Sequence, residues 1–162
     1  MESLTSLKKE LNGLERSDLI NLCARLARHK KENKELLAYL LLDADDPILY
    51  AEKIKPSLEA PYESNFYSVW AFIKQLRKAL RQITKYRRFT LSDRGEAELL
   101  LYFIRQLYAN WRPEFCHTSI QKIVQRCEEK IAQLIEKMDE DFQSDYEEPL
   151  QELRSESLRR FK

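Results

Sequence analysis

Ile120, Val124, Cys127, Ile131, Leu134 and Met138 follow one another at steps of four, three, four, three and four residues. That spacing gathers side chains on one face of an α-helix, whereas a strand would divide them between its two faces. The pattern recurs along the chain. Leu4, Leu7, Leu11 and Leu14 carry it near the start, and Phe66, Val69, Ile73, Leu76, Leu80 and Ile83 carry it in the middle. Only two glycines and five prolines punctuate 162 residues, which favours long helices over turn-rich sheets. A chain of this length buries a continuous core without disulfides or metals.

Local signals set the helix limits. The spacing predicts helices at 3–12, 17–43, 47–59, 62–89, from Ser92 or Asp93 to Trp111, from Pro113 or Thr118 to Met138, and at 147–160. Gly13 ends the first, and Ser17 with Asp18 caps the second. Asp46 before Pro47 opens the third, which Pro56 shortens or kinks. Ser92 or Asp93 caps the fifth, and Thr118 with Gln121 forms a capping box for the sixth. The run Leu99 to Ile104 is apolar nearly all round, so its helix is expected at the centre. The expected architecture is a single all-α domain over 1–162, an antiparallel bundle of about six to seven helices, with the acidic C-terminal segment 139–162 at its periphery. A solenoid-like helical stack is the alternative, although no repeat of fixed period is present.

Charge is balanced overall and segregated locally. The formal net charge is +1, so no global field favours nucleic acid or a membrane surface. Between Asn65 and Ser92, however, seven basic residues occur and no acidic one. Lys74, Arg77, Lys78, Arg81, Lys85 and Arg88 fall within an arc of about 100° beside the apolar stripe, a candidate binding face. Between Glu128 and Glu152, ten acidic residues meet only Lys130 and Lys137. The acidic segment 128–152 either neutralises the basic face or leaves it open to an acidic protein partner or to nucleic acid, with Tyr86 and Phe89 as stacking groups at one end.

Chemistry-bearing motifs are sparse. Gly13 and Gly95 stand alone, outside any nucleotide-binding loop pattern. Cys116 next to His117 is the one local nucleophile-base pairing, but neighbouring helical side chains point about 100° apart. Glu114 and His117 have the spacing of a di-iron helix, yet the position three before His29 is Leu26, which cannot ligate. Cys23 and Cys127 fall in apolar stripes and read as core residues, and Asp43, Asp45 and Asp46 read as helix-capping groups. No catalytic residue, cofactor or metal is therefore expected. The odd number of irregularly spaced cysteines suits a reducing compartment. The opening Met1-Glu2-Ser3-Leu4 lacks an apolar signal region, and no run of about 18 apolar residues is present, so a cytoplasmic protein without a membrane segment is expected.

The run His29 to Glu35 interrupts the second helix with seven polar residues. Continuing the stripe through it turns Lys30 and Asn33 inward, so the helix projects or breaks there, or these two residues line a polar cleft. The segment Lys30-Lys31-Glu32-Asn33-Lys34-Glu35-Leu36-Leu37, preceded by Leu22-Cys23-Ala24-Arg25-Leu26-Ala27, resembles the N-terminal signature of a family of small, uncharacterised, cytosolic, all-helical bacterial proteins. The likeness covers roughly the first 45 residues. It implies a helical fold, no known activity and no site residue. By exclusion, the expected function is a non-enzymatic protein-protein interaction or scaffold module. Sequence-non-specific nucleic-acid binding through helix 62–89 is the alternative, and an enzyme built around Lys30 and Asn33 is a third reading. The leucine stripe Leu4, Leu7, Leu11 either joins the core or forms a homodimer contact.

Overall fold

Eight α-helices form among the described residues, and no strand does. The computed structural model describes residues 2–63 and 68–161. The helices are α1 (Leu4–Asn12), α2 (Arg16–His29), α3 (Lys31–Leu42), α4 (Pro47–Glu59), α5 (Val69–Thr90), α6 (Asp93–Ala109), α7 (Thr118–Ile135) and α8 (Glu140–Arg160). Short 3-10 turns occupy Ala60–Tyr62 and Pro113–Phe115. The helix count exceeds the expected six to seven because the predicted helix 17–43 divides in two.

That division falls in the polar run. Lys30 takes an extended backbone, with φ −142° and ψ 142°, between α2 and α3. With no apolar face to hold it, a helix through His29 to Glu35 has little to gain from continuing. Asn33 bridges the gap, its Nδ2 donating to the Leu26 carbonyl at 2.9 Å and satisfying one of the acceptors that a helix end leaves open.

Other limits shift for local reasons. Asp46 Oδ1 accepts from the Leu49 amide at 2.9 Å with Pro47 in the first turn, as the capping signal requires. Ser92 Oγ accepts from the Gly95 amide and caps α6. Helix α2 begins at Arg16, ahead of the expected Ser17 and Asp18 cap. The predicted helix 62–89 starts instead at Val69, where Ser68 Oγ accepts from the Ala71 amide, and Tyr62 belongs to a 3-10 turn. Phe66, expected on its inner face, lies outside the described residues. Helix α7 is capped by His117 rather than by Thr118, with the ring Nδ1 accepting from the Ser119 amide at 3.1 Å. Helix α8 begins at Glu140, well before the expected 147; Glu140 and Asp141 in its first turn and Arg159 and Arg160 in its last suit the helix dipole. Pro149 is accommodated inside it.

The sequence reading expects one domain, and the contacts divide the chain into two compact units, Met1–Asp45 and Asp46–Lys162. In the first unit α2 and α3 fold back on one another across Lys30. No residue of α1 or α2 is buried, and in α3 only Tyr39 is.

In the second unit α6 packs against α4, α5, α7 and α8, the central placement its apolar run predicts. Leu99, Phe103, Ile104 and Leu107 of α6 are fully buried among Phe72, Ile73 and Leu76 of α5 and Ile120, Val124 and Ile131 of α7. Tyr146, Leu150 and Leu153 of the acidic segment belong to the same core. At one end Phe72 stacks on Phe115 at 4.0 Å between centroids, and Trp111 meets Phe115 edge-on. At a second point Tyr86 of α5 ties three helices together. Its hydroxyl donates to the Pro47 carbonyl of α4 at 2.7 Å, its ring stacks on Tyr50, and its tip lies against Gly95 of α6.

Helix α5 ends on Leu91, whose φ of 52° and ψ of 21° are left-handed, with its amide donating to the Arg87 carbonyl. This is the terminal geometry usually taken by glycine, and in leucine it costs on the order of 1 kcal/mol. Leu91 is also 75% exposed, so its side chain contributes little packing. Leu91→Gly is expected to raise the melting temperature by about 2–4 °C in a thermal unfolding scan. A lower melting temperature would mean that the leucine side chain contributes more than its backbone costs.

Candidate functional site

Helices α5 and α7 flank α6 and leave a cleft of about 490 Å³ between them. Arg77 stands on the α5 wall, and Lys122, Arg126 and Lys130 line the α7 wall at successive turns. Leu80 and Ile83 of α5, Leu100 of α6, and Ile123 and Cys127 of α7 form an apolar floor. The cleft thus follows from two periodicities. On α7, residues 123, 124, 127 and 131 turn inward, so 122, 126 and 130 fall on the neighbouring strip of surface.

Glu96 is 8% exposed and closes one end of the cleft. Arg87 Nε lies 3.3 Å from its carboxylate, Lys130 Nζ lies 4.0 Å away, and Arg87 also pairs with Asp93 at 2.8 Å. Burial pushes the Glu96 carboxyl above its ordinary value of 4.5, and Lys130 and Arg87 pull it back. Lys122 and Arg126 are exposed and make no ion pair with the described residues. The cleft therefore offers cations on both walls, with one internal carboxylate at its end. Burial pushes the Cys127 thiol in the floor up to about 12, so it stays protonated and acts as a small apolar group.

The expected basic face is placed as follows. Lys74, Arg77, Lys78, Arg81 and Arg88 are exposed on α5, and Lys85 is half-buried. Lys85 and Arg88 are engaged by other groups. No carboxylate among the described residues pairs with Lys74, Arg77, Lys78 or Arg81, so the acidic segment does not neutralise those four. The face splits in space. Arg77 lines the cleft, while Lys78 lines a separate hollow of about 190 Å³ with Ser57, Pro61 and Gln82. Lys122 and Arg126, which nothing in the sequence singles out, and Lys130, which stands there only as a cation within an acidic stretch, supply the rest of the cleft charge. Tyr86 and Phe89, read as stacking groups, are 1% and 8% exposed and belong to the interior.

The remaining candidates separate too. Lys30 is the extended junction between α2 and α3, and Asn33 faces a hollow of about 310 Å³ lined otherwise by Cys23, Leu26, Ala27, Leu36, Leu37 and Leu40. That hollow is apolar, in place of the polar cleft expected there. Glu114 sits in a 3-10 turn and His117 precedes α7, so the two do not share a helical face. His117 caps α7 through Nδ1 and meets Trp70 edge-on at 5.1 Å, which commits its ring to structure. No group of three or more His, Cys, Asp or Glu side chains suited to a metal ion occurs among the described residues. No helix among them is long and apolar enough to cross a membrane.

A second buried carboxylate lies between α7 and α8. Glu128 is 8% exposed, beside the buried Ser157. Burial raises its carboxyl above the ordinary 4.5, while the Ser157 hydroxyl and Arg154 lower it. A raised folded pKa means that the native chain holds this proton more tightly than the unfolded chain does. The resulting stabilisation is present at low pH and is lost as pH climbs through the raised value. Glu128→Gln should therefore gain in melting temperature relative to the parent between about pH 4 and pH 7. A difference that stays constant across that range would contradict the assignment.

Comparison with protein families, with curated proteins and with solved structures gives no significant match.

Proposed function

We propose that this chain is a non-enzymatic helical interaction module, and that the α5–α7 cleft docks an acidic amphipathic helix from a partner protein. The observation that carries this reading is the pairing of Arg77, Lys122, Arg126 and Lys130 with a floor of Leu80, Ile83, Leu100 and Ile123. Cations at the rim select carboxylates, and a shallow apolar floor selects a helix with one leucine-like face. The α7 wall from Ser119 to Lys130 is about 17 Å long, which accommodates roughly three helical turns.

Nucleic-acid binding is less well supported. Single strands are held by aromatic side chains on which bases stack, and no aromatic residue lines the cleft. Glu96 at one end also opposes a continuous phosphate track. Within the same reading, α4 to α8 form an antiparallel bundle that holds the two walls apart, and the free thiols of Cys23, Cys116 and Cys127 suit the cytoplasm.

Fluorescence anisotropy tests the proposal with three labelled probes. These are an 18-residue helix with glutamate on one face and leucine on the other, a glutamate homopolymer of equal length, and a 16-nucleotide single strand. The amphipathic peptide should bind with micromolar affinity and at least tenfold more tightly than either competitor. Its affinity should fall only a few-fold between about 50 and 200 mM salt, because few ion pairs form. Tighter binding of the oligonucleotide, with a steep salt dependence, would replace this reading with the nucleic-acid one.

A further inference from the structure

The first unit carries an apolar surface that its own residues do not cover. Leu26 is 60% exposed and Leu40 is 55% exposed, on opposite sides of the hollow between α2 and α3. Leu36 and Leu37 line the same hollow, and Cys23, halfway along α2, lines its other wall. The hairpin is also electrically lopsided along its length. Five basic residues, Arg25, Arg28, Lys30, Lys31 and Lys34, outnumber Glu32 and Glu35 at the turn, while Glu15, Asp18, Asp43 and Asp45 outnumber Arg16 at the open end, where α2 begins and α3 has ended.

We propose that a second copy of this chain covers the hollow, the two α2–α3 hairpins packing face to face and antiparallel about a twofold axis near Cys23. A twofold contact places the same patch on both sides, so the patch must complement itself. A hairpin with a basic turn and an acidic open end meets that condition in one orientation only, with the turn of each copy beside the open end of the other. Residues 1–45 contain eight basic and eight acidic side chains, so no net repulsion opposes self-association. The face is about 21 Å long and two helices wide, which corresponds to burial on the order of 600–800 Å² per copy. That area is near the lower limit for a stable dimer, and the proposal is for weak, micromolar self-association. The leucines of each copy would then form the four-helix core that a lone hairpin lacks.

Sedimentation equilibrium on the full chain tests it. The mass should rise from the monomer value of 19.4 kDa towards twice that value over the micromolar range. Leu26→Glu should weaken association at least tenfold while circular dichroism remains helical. Arg25→Glu with Arg28→Glu should also weaken it about tenfold, and adding Glu15→Lys with Asp18→Lys in the same chain should restore it, since only antiparallel packing brings those positions together. In a Cys116→Ser background, a short bismaleimide should join two chains through Cys23. A monomer up to about 200 μM would overturn the proposal. So would a dimer indifferent to Leu26→Glu, or one in which the second charge reversal fails to restore association.

Discussion

Gly95→Ala is expected to lower the stability of the fold by about 2–4 kcal/mol, despite placing a better helix former inside α6. A Cβ at this position would lie 1.8 Å from the Tyr86 hydroxyl oxygen and 2.7 Å from the carbon that bears it. Tyr86 cannot swing aside, because its ring is 1% exposed and stacks on Tyr50, and its hydroxyl donates to the Pro47 carbonyl at 2.7 Å. Relief requires α6 to shift or that hydrogen bond to break, and the buried Tyr86 hydroxyl left without its acceptor costs on the order of 1–3 kcal/mol. The helix-propensity gain of about 1 kcal/mol offsets only part of this. The expected drop in melting temperature is roughly 5–15 °C. Tyr86→Phe removes the closest of these clashes, so the double variant should be less destabilised than the sum of the single ones by about 1 kcal/mol in urea unfolding. A Gly95→Ala protein as stable as the parent would show that the α5–α6 contact is looser than its geometry.

The second large effect concerns the cleft. Lys122→Glu with Arg126→Glu is expected to weaken binding of the acidic amphipathic peptide by about 30–100-fold with little change in melting temperature. Both side chains are exposed and make no ion pair with the described residues, so their reversal costs the fold little. A rim contact contributes up to about 1 kcal/mol, and reversal replaces attraction with repulsion, so two positions together reach roughly 2–3 kcal/mol. Reversal of Lys78, which faces a different hollow, should change affinity less than threefold. Equal losses from both sets would point to diffuse attraction by charge over the whole surface.

The elements most legible in the sequence are those whose local signals agree. Asp46 with Pro47 announces the start of α4, and the apolar run Leu99 to Ile104 announces the central helix, because capping and one-sided or all-round burial leave direct marks on residue order. The polar run His29 to Glu35 announces an interruption, but not that one extended residue, Lys30, would suffice to make it. The cleft is only half legible. Arg77 stands out in a stretch without acids, whereas Lys122 and Arg126 each follow a glutamine and Lys130 follows Glu128 and Glu129, and the three gain meaning only once α6 holds α7 against α5. Tyr86 follows Leu76, Ala79 and Ile83 at inward steps of three and four, a spacing that marks it as a core residue. It also borders the basic arc, so position along the chain alone fits both a stacking and a buried role.

A charge exchange across the cleft shows whether the peptide docks between α5 and α7. The Lys122→Glu, Arg126→Glu chain would be titrated with an amphipathic peptide whose glutamates are replaced by lysines, alongside the original pair and both mismatched pairs. The exchanged pair should recover to within about fivefold of the original affinity while both mismatched pairs remain at least tenfold weaker. Mismatched pairs that bind as well as the matched ones would show that the α5–α7 cleft is not where the peptide docks.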